Sequence, residues 1–173
     1  MYPLIRLYKT LYTARSRSPL KVDEASILPM RVWPGDIDMF MEMNNGRQLT
    51  MMDLGRMDYA ARTGLLREIR QRRWGLVVAG ISIRYRKRLH LLNHYTLHTK
   101  LLGYDEKWFY FHQRMRNGEI TYSSALIRTG VTSHSGIVPS KEVLGAMGSG
   151  DWRPELPEWV CAWAKADDLR PWP

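Results

Sequence analysis

The chain has 173 residues, 45% of them hydrophobic and 25% charged, a composition typical of a single globular domain rather than a disordered chain. Its single cysteine, Cys161, excludes an internal disulfide framework, and no run approaches the ~18 apolar residues that a membrane-spanning helix needs. The net charge of +9 predicts an anionic partner: nucleic acid, a phospholipid surface or a phosphorylated ligand.

The positive charge is unevenly distributed along the chain. Residues 151–173 hold five acidic and three basic residues, so the first 150 residues carry a net charge of +11. Residues 1–22 hold five basic residues and no acidic one. We therefore divide the chain into a basic N-terminal segment (1–22), a central domain (23–140) and a tryptophan-rich C-terminal extension (141–173).

The N-terminal segment, Y-P-L-I-R-L-Y-K-T-L-Y, has apolar residues at helical spacing. These residues are Leu4, Leu7, Tyr8 and Leu11. The helix either packs on the body of the domain or lies on an anionic membrane surface, with Arg6 and Lys9 toward the headgroups. Both alternatives are open at this point.

Residues 27–33 have the composition of a short strand, which W-P-G ends at Gly35. After a polar turn, the pattern predicts a helix from about Arg47 to Arg70, with Gly64 loosening its end. This helix is apolar on more than one side, so we expect it to be buried over much of its surface.

After Gly75 the hydrophobic period changes from about 3.6 to 2, which predicts strands. Four are expected, around 81–86, 95–101, 108–115 and 120–133. Asn117–Gly118 predicts a type I′ hairpin turn, with positive φ at both residues. Because the connections are short, the four strands are expected to form an antiparallel meander.

The order of strand, apolar helix and antiparallel strands predicts an α+β fold in which one antiparallel sheet wraps around a long central helix. Near the C-terminus, P-E-L-P-E-W is expected to open a short helix that covers an apolar surface of the domain or of a partner subunit.

The turn before the central helix is the best candidate for chemistry. Asp36 and Asp38 lie just ahead of a helix whose first N–H groups are unpaired and carry partial positive charge. Such a site can hold a carboxylate ionised and polarise a substrate carbonyl. The alternative is plain helix capping by Asn44 or Asn45. The sequence has no metal-binding motif, and we expect no metal.

Residues 36–48, D-I-D-M-F-M-E-M-N-N-G-R-Q, resemble the D-x-D-x-x-G-H-V-N-N-x-x-Y signature of hotdog-fold acyl-CoA thioesterases of the 4-hydroxybenzoyl-CoA thioesterase type, and in particular their thioesterase-like relatives. The resemblance extends over roughly residues 27–135. It implies that Asp38 is the catalytic carboxylate, acting as nucleophile or general base. It also implies that the N–H of Asn45 polarises the thioester carbonyl, and that Asn44 and Asn45 shape the turn.

Three residues depart from the family signature: Met41 stands in place of Gly, Glu42 in place of His and Gln48 in place of an aromatic residue. As a second carboxylate, Glu42 either repels the charge of Asp38 or replaces it. Two helix carboxylates are reserve candidates because some members use one, namely Asp53 and Asp58. The resemblance also matches three arginines, which alternate onto one strand face, to positions that contact coenzyme A phosphates: Arg84, Arg86 and Arg88.

The resemblance therefore implies an acyl-CoA thioesterase whose coenzyme A is part of the substrate, with no separate cofactor. It implies assembly as a dimer or a dimer of dimers. The alternative is a non-catalytic acyl- or lipid-binding hotdog protein held at a membrane surface by residues 1–22. We expect a cytoplasmic location, peripheral to the inner face of a membrane in that alternative. Nucleic-acid binding is not expected, because the sequence has no RNP motif or recognition helix-turn-helix.

Overall fold

The computed structural model describes residues 2–171. Its helices are α1 (Leu4–Ala14), α2 (Asn45–Arg62), α3 (Leu65–Arg72), α4 (Ser140–Ala146) and α5 (Glu158–Asp168). Its strands are β1 (Ser26–Arg31), β2 (Gly75–Tyr85), β3 (His94–Tyr104), β4 (Phe109–Asn117), β5 (Ile120–Ser133) and β6 (Gly136–Val138). None of the helices within residues 2–171 is both long and apolar enough to cross a membrane.

The strands form one antiparallel sheet in the order β1-β3-β4-β5-β2, and β6 pairs with β5. The inner face of the sheet packs on α2, whose Met51, Met52 and Leu54 are fully buried against residues such as Leu97 and Ile127. The fold class is confirmed: an antiparallel sheet wraps around a long central helix, because that arrangement buries α2 on most of its sides.

The predicted four-strand meander is wrong in one respect. Only β3, β4 and β5 are joined as a meander, whereas β2 pairs with β5. The reason is that β1 occupies the free edge of β3, with Ile27 opposite His98. Strand β2 therefore lies at the end of the sheet and has one unpaired edge among the described residues.

The predicted helix over 47–70 is two helices. Helix α2 ends at Arg62, and Gly64 adopts a left-handed φ of 84° that starts α3 in a new direction.

The predicted type I′ turn is also wrong. The two turn residues are Gly118 and Glu119, with positive φ only at Gly118, as a type II′ turn requires.

Helix α1 packs on α2 with its polar side inward. Arg6, Thr10 and Ala14 are buried, whereas four apolar side chains on the other side are exposed. The exposed side chains are Leu4, Ile5, Tyr8 and Tyr12. The expectation that Arg6 points toward lipid headgroups is thus wrong, because Arg6 is drawn inward by an ion pair with Asp36.

Helix α5 is the short helix expected after P-E-L-P-E-W, and it covers the outer face of its own sheet. Val160 packs against Tyr110 and Leu126. Two ion pairs fix the end of this helix, from Arg128 to Asp167 and to Asp168, each at 2.8 Å.

Gly55 marks the closest approach of α2 to the sheet. A Cβ atom added there would lie 2.6 Å from side-chain atoms of Leu97 and Thr99. We expect Gly55→Ala to lower the free energy of unfolding by about 1–3 kcal/mol through overpacking, measured by urea denaturation. Gly145→Ala in α4 is the matched control, since nothing lies within 4 Å of its added Cβ. Equal effects of the two substitutions would contradict this account.

Candidate functional site

The turn between β1 and α2 is a narrow hairpin built by backbone hydrogen bonds. Asp38 N–H donates to the Glu42 carbonyl at 2.9 Å, and Asn44 N–H donates to the Asp36 carbonyl at 2.9 Å. Met41, at the tip, has a φ of 61°, a conformation that favours glycine. The family signature has Gly at this position, so Met41 retains the backbone shape at a steric cost.

Asp36 anchors this turn from inside the protein. Its carboxylate is buried and pairs with Arg6 at 2.8 Å and with Arg47 at 3.3 Å. It also accepts the N–H of Trp33 at 2.8 Å, and the Arg6 guanidinium lies 4.1 Å from the Trp33 ring centroid. Sequence reasoning grouped Asp36 with Asp38 as a candidate for chemistry, but all these contacts give Asp36 a structural role.

Asp38 lies on one side of the turn. It is partly exposed, and its Oδ1 accepts the N–H of Phe40 at 2.9 Å. It lines an open groove together with Asn44 and Arg47. Asp38, the catalytic residue according to the family signature, therefore lies near the start of α2. However, the groove that it lines is not the one that Asn45 lines.

Asn45 lines a second groove, on the other side of the turn. Asn44 is the N-cap of α2, with its Oδ1 accepting the N–H of Arg47 at 3.2 Å, so capping falls to Asn44. Asn45 is the first helical residue, and its N–H lies at the positive end of α2 with no partner inside the helix. Such an N–H can donate to an oxygen that gains negative charge during a reaction.

The second groove also contains Glu42 and Gln48. Glu42 Oε2 lies 3.0 Å from Arg88 Nε, close enough for an ion pair but not aligned for a hydrogen bond. Gln48 is 4% exposed, and its Oε1 accepts no hydrogen bond within the described part of the chain. A buried acceptor of this kind costs free energy unless a ligand or water donates to it. Sequence reasoning noted Gln48 only as a departure from the signature.

The three predicted arginines are not on one strand face. Strand β2 ends at Tyr85, where the N–H groups of Arg86 and Lys87 both donate to the Tyr122 carbonyl, so the alternation is broken. Arg86 and Arg88 line the groove of Asn45. Arg84 instead lies on the outer face of the sheet, in a cleft beside α5.

The reserve carboxylates differ in their surroundings. Asp58 is fully buried and paired with Arg17 at 3.0 Å and Arg62 at 3.5 Å, a structural arrangement. Asp53 is partly exposed, accepts the Tyr2 hydroxyl at 2.5 Å and pairs with Arg56 at 3.0 Å. Burial, followed by the hydrogen bond to Asp53, raises the pKa of Tyr2.

The chain matches a known protein family and is similar in sequence to members of it. The family model described as the thioesterase-like superfamily matches residues 32–164. Protein THEM6 of Drosophila melanogaster is 36% identical over 137 residues, which cover 78% of this chain and 69% of that protein. Protein THEM6 of Xenopus laevis is 34% identical over 139 residues, which cover 79% of this chain and 66% of that protein. The chain thus spans about two thirds of the length of each relative.

The architecture also matches solved structures. The 1,4-dihydroxy-2-naphthoyl-CoA thioesterase from Synechocystis superposes with a TM-score of 0.63 at 12% sequence identity, covering 75% of this chain and 100% of that one. At this identity the likeness establishes the fold, which is the hotdog fold.

Proposed function

We propose that this chain, which belongs to the thioesterase-like superfamily, hydrolyses the thioester of an acyl-CoA to the free acid and coenzyme A. The observation that carries the proposal is the groove at the start of α2, where Asn45, a carboxylate and basic side chains meet. The acyl-CoA substrate named for the Synechocystis neighbour supports the choice of thioester. We also propose that the protein is cytoplasmic.

In the proposed reaction, the thioester oxygen accepts the N–H of Asn45 while a water oxygen attacks the carbonyl carbon. A carboxylate takes the proton of that water, the carbon–sulfur bond breaks, and the coenzyme A thiolate leaves and is protonated. We assign the water's second hydrogen to the Oε1 of Gln48, which accepts no hydrogen bond within residues 2–171. Arg86 and Arg88 would attract the phosphates of coenzyme A.

Two carboxylates compete for the role of base. Asp38 matches the family signature, and it could also act as a nucleophile. Glu42 shares the groove of Asn45, where its Oε2 lies 3.0 Å from Arg88 Nε. A carboxylate base contributes on the order of 10²–10⁴-fold to a rate, so removing the correct one has a large effect.

A colorimetric assay of released coenzyme A, across short, medium, long-chain and aromatic acyl-CoAs, tests this function. We expect wild type to turn over, and either Asp38→Asn or Glu42→Gln to lower kcat by about 10²–10⁴-fold. Glu119→Gln, at a fully exposed carboxylate in the hairpin turn, is the matched control and should leave kcat unchanged. Activity that survives both site variants would refute the mechanism, and no turnover of any substrate would refute the function.

We further propose that the chain forms a homodimer through β2. This strand has 11 residues and one unpaired edge within residues 2–171, and it exposes several apolar side chains. They are Leu76, Val77, Val78, Ile81 and Tyr85. A long apolar edge of this kind readily pairs with another strand. Since Tyr85 also lines the groove of Asn45, a partner on this edge would lie beside the site.

Sedimentation equilibrium tests the assembly. We expect wild type to have about twice the 20.3 kDa mass of the chain, or four times that mass if dimers pair. Ile81→Lys should shift the protein to monomer, because a lysine on an edge strand opposes pairing. Ile137→Lys, at a similarly exposed isoleucine on β6, should not. A monomeric wild type, or a dimer that Ile81→Lys leaves intact, would contradict the proposal.

A second candidate function is favoured by the outer side of α1: a non-catalytic acyl- or lipid-binding protein on a membrane. Leu4, Ile5 and Tyr8 are 68%, 77% and 73% exposed, and Lys9 and Arg15 lie among them. An exposed apolar surface flanked by basic residues fits the interface of an anionic bilayer.

Vesicle flotation separates the two candidates. The second predicts binding to phosphatidylserine-containing vesicles, weaker binding to phosphatidylcholine alone, and loss of binding in the double variant Ile5→Glu with Tyr8→Glu. Leu169→Glu, at an exposed leucine next to α5, is the control. Absence of vesicle binding, or binding that the α1 variant leaves intact, would rule out attachment through α1. Turnover of any acyl-CoA would rule out the non-catalytic role.

A further inference from the structure

The protein contains a partly open apolar cavity that the proposed chemistry does not use. It has a volume of about 260 Å³ and lies between α2, the inner face of the sheet and α4. Side chains such as Ala60, Phe111, Val131 and Leu144 line it. An apolar cavity of this size does not attract water and accepts an apolar ligand.

Helix α2 connects this cavity to the groove of Asn45. Asn45, Leu49, Arg56 and Ala60 are spaced four, seven and four residues apart, so they lie along one side of the helix. Asn45 lines the groove at one end of this row, and Arg56 and Ala60 line the cavity at the other. A ligand held at Asn45 can therefore follow one face of α2 into the cavity.

Strand β2 contacts both ends of this row. At the groove end, the Tyr85 hydroxyl donates to the Asn45 carbonyl at 3.3 Å. At the cavity end, Val77 and Val78 line the cavity opposite α2. The groove and the cavity thus lie at the two ends of one row of residues along α2, and β2 contacts both ends.

The polar side chains of α2 near the cavity form hydrogen bonds and an ion pair with neighbouring polar side chains. The Arg56 guanidinium pairs with Asp53 at 3.0 Å and donates to Gln113 Oε1 at 2.7 Å. Since its charge is satisfied by these partners, its aliphatic stem is left to line the cavity.

We propose that the cavity holds the distal end of a long-chain fatty acyl group of about 14 to 18 carbons, whose thioester lies at Asn45. This inference rests on the proposed function and specifies its substrate. Asp53 is the first residue of α2 that lines the cavity, and we take it as the mouth. From Asn45 to Asp53 the eight residues of helix advance about 12 Å. An extended chain at roughly 1.2 Å per bond needs about ten bonds to cover that distance.

The cavity volume sets the upper limit of the chain. An apolar cavity of about 150 Å³ holds the six carbons of benzene, so about 260 Å³ holds roughly ten carbons. Acyl groups of eight carbons or fewer, and single aromatic rings, end before the mouth and gain nothing from the cavity. Chains of about 14 carbons enter it, and chains of about 18 carbons fill most of it.

The first test is the chain-length profile of wild-type kcat/KM, from butyryl- to stearoyl-CoA with benzoyl-CoA included. We expect the maximum between 14 and 18 carbons, at least about tenfold above the eight-carbon substrate. A maximum at eight carbons or fewer, or with benzoyl-CoA, would overturn the inference while leaving the thioesterase function in place.

The second test narrows the cavity with Ala60→Met. Ala61→Met, the same substitution at the next residue of α2, is the control because Ala61 does not line the cavity. We expect Ala60→Met alone to lower kcat/KM for palmitoyl-CoA by about tenfold and to leave octanoyl-CoA nearly unchanged. Identical profiles of the two variants would overturn the inference, and their melting temperatures check that both are folded.

Binding of a fluorescent 18-carbon fatty acid gives a readout independent of hydrolysis. We expect palmitate to displace it from wild type, octanoate to do so poorly, and Ala60→Met to bind it about tenfold more weakly than Ala61→Met. This result without turnover of any acyl-CoA would support the cavity as an acyl site and refute the thioesterase function. Absence of fatty-acid binding, or equal binding by the two variants, would overturn the inference.

Discussion

The buried ion pair between Arg6 and Asp36 holds the candidate site together. Two charges this well buried are stable only when they are paired, so α1 and the turn before α2 stabilise each other. Trp33 and Arg47 complete the set of contacts around Asp36. Because Arg6 is drawn inward, α1 exposes four apolar side chains on its other side: Leu4, Ile5, Tyr8 and Tyr12. The same pair therefore fixes the orientation of the N-terminal helix and the shape of the turn.

The fixed turn separates two groups of polar residues. Asp38 lies on one side, with Asn44 and Arg47, whereas Glu42 and Gln48 lie with Asn45 on the other. The family signature assigns the chemistry to Asp38, but in a single chain the carboxylate beside the N–H of Asn45 is that of Glu42. Glu42 and Gln48, which stand where the signature has His and an aromatic residue, both line this groove. Together they supply a charged acceptor and a neutral one beside the same helix N-terminus.

Much of this fold could be predicted from the sequence because its signals are local. Hydrophobic periods predict the central helix and the strands, and the D-I-D…N-N run predicts the turn before α2. The errors concern interactions that local patterns do not contain. Pairing of β1 with β3 joins residues about seventy positions apart and displaces β2 to β5. A glycine such as Gly64 is compatible with a continuous helix and with a helix end, so the sequence does not show where α2 stops. Arg86 lies outside the strand because its N–H and that of Lys87 both donate to the Tyr122 carbonyl. Arg6 and Asp36 lie 30 residues apart, and nothing in either segment predicts their pairing.

The central claim is that the thioester binds at the start of α2. The most direct measurement is a crystal structure with an acyl-CoA analogue in which a methylene replaces the sulfur, so that the ketone cannot be hydrolysed. The account predicts that the ketone oxygen accepts a hydrogen bond from the N–H of Asn45, with Glu42 and Gln48 beside it. A ketone bound out of reach of Asn45, for example in the cleft of Arg84 on the outer face of the sheet, would contradict it.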